Sequence, residues 1–169
     1  MNAELYFFSV SLDVTVENAM GSFRNTLVAV LTMLAAAPAL AADIDREAVD
    51  FTSAENIRWV QNPNGSNAQA ILFGDPGKPG PYVARIKWYP GKMSRPHFHQ
   101  NDRFFAVISG TWWMGTGEKY DPESTVPATA GSYVIHRANK VHYDGAKDGE
   151  VVIQVWGMGP APAIPAEKH

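Results

Sequence analysis

The sequence predicts an all-β domain of antiparallel strands, a sandwich or barrel, and two observations carry that reading. Across residues 60–169, apolar and aromatic runs of about four to eight residues alternate with Gly- and Pro-rich turn signals, and no stretch there has helical periodicity. The composition agrees: 46% hydrophobic and only 18% charged, with 14 Gly and 12 Pro among 169 residues, which is too poor in charge for a helical bundle or a disordered tail. The same counts exclude whole classes of function. Lys and Arg total 14 against 17 Asp and Glu, a formal charge of −3, so no basic excess exists to grip a phosphate backbone and nucleic-acid binding is disfavoured. There is no Cys, which removes disulfides, thiolate metal sites and cysteine nucleophiles and leaves chemistry to His, carboxylates, Tyr and backbone.

Taken in order, the chain opens with an address. Arg24 precedes the apolar run Leu27–Ala37, and Pro38 then leads into the small-x-small triplet Ala39-Leu40-Ala41. A basic flank, a short apolar core and such a triplet predict a secretory signal peptide over 20–41, too short to remain as a stable membrane span and removed on export to the periplasm or exterior. Residues 1–19 carry Glu4, Asp13 and Glu17 and no basic residue, so they read as an upstream extension, with Met20 the natural start. The 128 residues after Ala41 suffice for one core, held by packing alone. An N-terminal segment over 42–67, with a helical turn within Asp43–Glu55, leads into a barrel over 68–157. Its expected strands are Ala68–Phe73, Tyr82–Tyr89, Arg95–His99, Arg103–Ser109, Thr111–Gly115, Ser132–Arg137 and Glu150–Trp156. In the second, Tyr82, Ala84, Ile86 and Trp88 alternate with Val83, Arg85 and Lys87, as a half-buried strand requires. The Pro-rich tail, 158–169, cannot pair as a central strand and is expected to lie extended on the surface or against a partner. Exposed sheet edges are compatible with a homodimer.

Four of the five His lie between 97 and 142. His97 and His99, two apart on a strand, point their imidazoles to one face, which is how a β-strand presents two nitrogen ligands without distorting its backbone. By itself an H-x-H pair also fits two polar side chains on a wet strand.

The residues around it extend the pattern. Gly91, five residues, His97-Phe98-His99, three residues, Arg103, six residues and Gly110 resemble the first motif of the cupin superfamily, G-x5-H-x-H-x3-4-E-x6-G, with Arg103 where the family has glutamate. Ala130–His142 is similar to the second motif: Gly131 takes the turn glycine and His142 the histidine. Ser132 replaces the usual acid, Arg137 the proline, and Asn139 a glycine, which Asn can replace in a left-handed turn. The resemblance implies a cupin-type antiparallel jelly-roll β-barrel with His97, His99 and His142 as ligands of one divalent transition metal (Fe, Zn, Ni, Mn or Cu). The competing reading is a metal-free barrel in which the three His are hydrogen-bonded lining.

Arg103 decides how such a site works. A guanidinium cannot ligate a cation, and held 4 Å from a dication at an effective dielectric of 20 it costs about 8 kcal/mol. Either Arg103 turns away, or no metal binds, or an anion bridges the two; Arg pairs bidentately with carboxylates, so the expected ligand is a small anionic organic molecule. Asp102 points away from 103 on a strand, and Gln100 is a second substitute for the missing acid. His136 shares the parity of Ser132 and Val134 and reads as an outer or supporting residue rather than a fourth ligand. Tyr143 reads as packing, Gln154 as a hydrogen-bonded amide inside the barrel, and Phe105, Trp112, Trp113 and Tyr133 as core or pocket wall. Two functions follow: a metal-dependent enzyme of the dioxygenase, isomerase or lyase type, or a non-catalytic module that binds or senses a small molecule or metal in the periplasm.

Overall fold

The structure, a computed structural model, describes residues 44–168. The expected signal peptide and upstream extension lie outside the described residues. Among those residues, no helix is long and apolar enough to cross a membrane.

Eleven strands follow one another: β1 Val60–Gln61, β2 Asn67–Phe73, β3 Gly80–Trp88, β4 His97–Phe98, β5 Arg103–Ser109, β6 Thr111–Thr116, β7 Val126–Thr129, β8 Tyr133–His136, β9 His142–Gly145, β10 Val151–Gly159 and β11 Ile164–Pro165. The only helical pieces described are 3₁₀ turns at Ala54–Asn56 and Pro122–Ser124. All strand pairings are antiparallel, in a six-stranded sheet ordered β1-β2-β3-β10-β5-β8 and a five-stranded sheet ordered β11-β4-β9-β6-β7. All seven runs read from the sequence form strands. Four strands escaped that reading because each lacks an alternating apolar signal: β1 and β11 have two residues each, β7 carries Pro127, and β9 reads His-Tyr-Asp-Gly. Pro127 is tolerated because β7 is an edge strand and need not donate on its free side.

The two sheets bury their facing sides against each other. The larger sheet contributes Tyr82, Ala84, Trp88, Phe105, Val107, Val151, Ile153 and Val155, and the smaller one Trp112 and Ala128. Full burial of Phe105, Val151, Ile153 and Val155 is worth about 1.5–3 kcal/mol per side chain, which is how a chain without disulfides holds its sheets together. In β3 the expected alternation appears, with Tyr82, Ala84 and Trp88 buried and Val83, Arg85 and Lys87 half-buried. Gly131 and Asn139 take positive φ (89° and 58°), the left-handed turns that their motif positions ask of them.

The tail is tied to the barrel. β11 adds to the edge of β4, Ala161 N donates to Pro76 O at 2.8 Å, Ala166 N donates to Pro96 O at 2.9 Å, and Arg95 forms an ion pair with Glu167. Its prolines confine it to an edge, as expected.

Candidate metal centre

Strands β4 and β9 are neighbours in the smaller sheet, with His97 directly opposite His142. His99 follows two residues after His97 on the same face. The imidazoles therefore converge: ring centroids lie 4.5 Å apart for His97–His142, 5.1 Å for His97–His99 and 5.8 Å for His99–His142. Each ring offers a nitrogen within 4.8 Å of the others.

The other nitrogen of each ring is anchored. His97 Nδ1 lies 2.8 Å from Arg95 O, His99 Nδ1 3.2 Å from Ala161 O, and His142 Nδ1 3.0 Å from Lys140 O. A carbonyl only accepts, so Nδ1 carries the proton in all three and the lone pair sits on Nε2. Second-partner anchoring of this kind fixes tautomer and ring orientation at metal sites. Burial keeps His99 and His142 neutral: His99 is pulled down to about 3, first by desolvation and then by the Arg103 charge, and His142 is lowered by desolvation against the opposing pull of Asp144.

The opposite sheet supplies Arg103 and His136, cross-strand partners on β5 and β8. Arg103 Nη1 donates to His99 Nε2 at 2.6 Å and its Nε donates to Tyr82 Oη at 3.2 Å, while its guanidinium lies 5.1 Å from the Phe105 ring centroid. Arg103 thus turns into the site, and its polar partners among the described residues are a phenol and an imidazole. Of the two positions the sequence left for His136, outer or supporting, the outer one is excluded: it lies inside the barrel, 8% exposed, its ring centroid 3.9 Å from that of His142 and its ring packed on Phe105 and Trp112. The parity shared with Val134 is the inward one, because β8 pairs with β5 so that His136 faces the same interior as Arg103 and Phe105. Beside it lies Asp144, buried, accepting from Trp112 Nε1 at 3.0 Å. In the sequence Asp144 and Gly145 read as a turn signal, whereas both lie in β9, where the spacing of Asp144 from His142 repeats that of His97 and His99.

Other expectations divide. Asp102 stays out of the site, accepting from Ala138 N and Arg137 Nη1, and Gln100 is exposed. Gln154 faces the outer side of β10 and accepts from Arg85 Nε at 3.2 Å, so it is not an interior amide. Tyr133 is 58% exposed and belongs to neither core nor pocket wall, whereas Phe105 and Trp112 are core. Tyr143 is packing: its ring fills the space a Cβ on Gly115 would need and its hydroxyl donates to Asp121 O at 2.8 Å.

A cleft of about 740 Å³ opens beside these groups, lined by His97, His99, Arg103 and Asp144 and by apolar wall such as Ile86 and Ile153. Trp88 Nε1 and Asn67 Oδ1, from residues lining the same cleft, are buried without a hydrogen-bond partner. Neither is marked by its sequence neighbours, since only pairing of β2 with β3 sets Asn67 opposite Trp88.

The donor set fits a divalent transition metal. Three neutral imidazoles present Nε2 lone pairs toward one another, and His142 Nε2 is buried with no partner. His99 Nε2 becomes available once Arg103 moves off it.

No protein-family model matches the sequence, and no curated protein matches it. Among solved structures, the polyketide cyclase RemF from Streptomyces resistomycificus matches with a TM-score of 0.59 and 14% identity, over 72% of this chain and 87% of its own. An uncharacterized conserved protein with a double-stranded β-helix domain from Klebsiella pneumoniae matches with a TM-score of 0.53 and 21% identity, over 70% and 97%. An RmlC-like cupin from Shewanella frigidimarina matches with a TM-score of 0.51 and 14% identity, over 65% and 91%. At such identities the likeness is one of fold. Two antiparallel sheets closed over an interior cluster of histidines, shared in architecture with these neighbours, give this chain the cupin fold.

Proposed function

We propose that this chain is an exported cupin that holds one divalent transition metal on His97, His99 and His142 and binds a small anionic organic molecule against Arg103. One observation carries the reading: three imidazoles from two strands each spend Nδ1 on a backbone carbonyl and turn Nε2 to a common point. A bound metal would supply a Lewis acid that polarises an oxygen of the ligand. The remaining work belongs to the chain. Arg103 exchanges His99 for a carboxylate and pairs with it bidentately. Tyr82 Oη accepts from Arg103 Nε, so its own proton is free to be donated to the ligand. Trp88 Nε1 offers a second donor further along the cleft, and Ala84, Ile86 and Ile153 keep water from the wall. Solved neighbours of the fold include the polyketide cyclase and DMSP lyases (the latter at a TM-score of 0.50 and 17% identity), so chemistry on small organic molecules is at home in this architecture.

A second reading, a non-catalytic module that captures a small acid, is favoured by the Arg103 to His99 hydrogen bond, which makes an anion receptor without any metal. Calorimetric titration separates the parts. With Ni²⁺ and oxalate as probes, Arg103→Ala weakens oxalate binding at least tenfold and leaves Ni²⁺ binding equal or tighter, whereas His97→Ala weakens Ni²⁺ binding once oxalate is present and has drawn Arg103 off His99. The opposite order for Arg103→Ala contradicts the anion role, and oxalate binding unaffected by Ni²⁺ supports the metal-free module.

A further inference from the structure

The histidine trio is not the only donor set in the barrel. His136, His142 and Asp144 also place one ligand atom each within 4.8 Å of one another, and all three are buried, at 8%, 5% and 6% exposure. Two atoms of this set, His136 Nδ1 and His142 Nε2, are buried polar nitrogens with no hydrogen-bond partner, a state that buried polar groups in folded proteins seldom tolerate without a ligand or water. Asp144 spends one oxygen, Oδ1, on Trp112 Nε1, which orients the carboxylate and leaves the second oxygen for a ligand.

We propose that His136, His142 and Asp144 form a second, inner seat for a divalent transition ion. The inference rests on the reading that this barrel takes a metal, and it names the seat the ion takes while no anion has drawn Arg103 off His99. Two neutral imidazoles and one carboxylate reduce a dication to a net single positive charge, whereas the trio leaves it at full charge beside a guanidinium. Asp144 thereby returns to the interior the acid that position 103 has lost to arginine. The inner seat is also the one whose atoms are unclaimed: in the trio, His99 Nε2 is held by Arg103 at 2.6 Å. His142 belongs to both sets, so one ion occupies one seat at a time.

The test is a titration of the metal-free full chain with Co²⁺ in a buffer without carboxylates, read by stoichiometry and by the visible absorption of the bound ion. The expected result is one Co²⁺ per chain. Asp144→Asn and His136→Phe each weaken binding at least tenfold and alter the absorption band, while His97→Ala and His99→Ala change affinity less than threefold and leave the band in place. Asp144→Asn keeps a carbonyl oxygen for Trp112 Nε1, and His136→Phe places an apolar ring against Phe105 and Trp112, so both are expected to fold; a near-ultraviolet circular dichroism spectrum like that of the wild type checks it. If His97→Ala and His99→Ala abolish binding and the two inner variants bind normally, the inner seat is wrong and the trio stands. Equal weakening by all four variants rules out separate seats. A wild-type chain that takes up no Co²⁺ overturns both readings.

Discussion

The segments 97–99 and 142–144 occupy neighbouring antiparallel positions and each aims two polar side chains, two residues apart, into the same interior, yet they meet different surroundings. His97 and His99 line the open cleft, and Arg103 reaches across to claim His99. Asp144 touches the same cleft, but its carboxylate is held by Trp112, and His142 packs on His136 with unpartnered nitrogens on both rings. The first pair faces a cation and favours an anion beside it; the second carries its own negative charge and favours a cation. Spacing alone made the pairs look equivalent, and what stands opposite them separates their chemistry.

The largest expected effect exploits the enclosed side. His99, His136 and His142 are all lowered by burial, so below the ordinary histidine value near 6.5 the unfolded chain takes up protons that the folded chain refuses, for His99 down to about 3. Nothing changes above pH 6.5; below it, stability of the metal-free protein falls by up to about 1.4 kcal/mol per pH unit for each histidine. Urea unfolding at pH 7.5, 6.0 and 5.0 measures the slope, and His136→Phe flattens it by the share of one histidine. A slope untouched by that substitution would place His136 in water, against its enclosed position.

A smaller effect sharpens the open side. Arg103→Glu replaces a repelling group by an attracting one beside His97 and His99, so metal affinity rises at least tenfold, about 1.4 kcal/mol. Unchanged or weaker affinity in a metal titration would show that the residue at 103 does not face the ion. Smallest of all is Gln154→Ala. Its amide lies on the outer face with Arg85, so stability shifts by about 0.5 kcal/mol or less, and oxalate binding does not change. A clear loss of oxalate affinity would return Gln154 to the interior.

Much of the barrel was legible because half-buried strands write themselves as alternation, and β3 shows it residue by residue. The same rule hid β9: His142 to Gly145 is buried on both faces, so it carries no contrast between sides, and Asp144-Gly145 within it reads as a turn. His136 stayed open between an outer and a supporting position for a related reason. Parity groups residues on one face of a strand without saying which face is inside, and that was fixed by the pairing of β8 with β5.

From the chain itself came the all-β class, the turns, the convergence expected of His97, His99 and His142, and the misfit of Arg103 among them, because these depend on residue type and local spacing. The partner Arg103 chooses, the burial of His136 and the pairing of Asp144 with Trp112 depend on which strand lies across the interior. Those contacts join residues 4, 21 or 32 positions apart in sequence, and register between strands, set by the packing of two whole sheets, is what brings them within hydrogen-bonding or ligand distance. The rings of His136 and His142, their centroids 3.9 Å apart, belong with them: six positions apart on strands of opposite sheets, they meet only because the barrel closes.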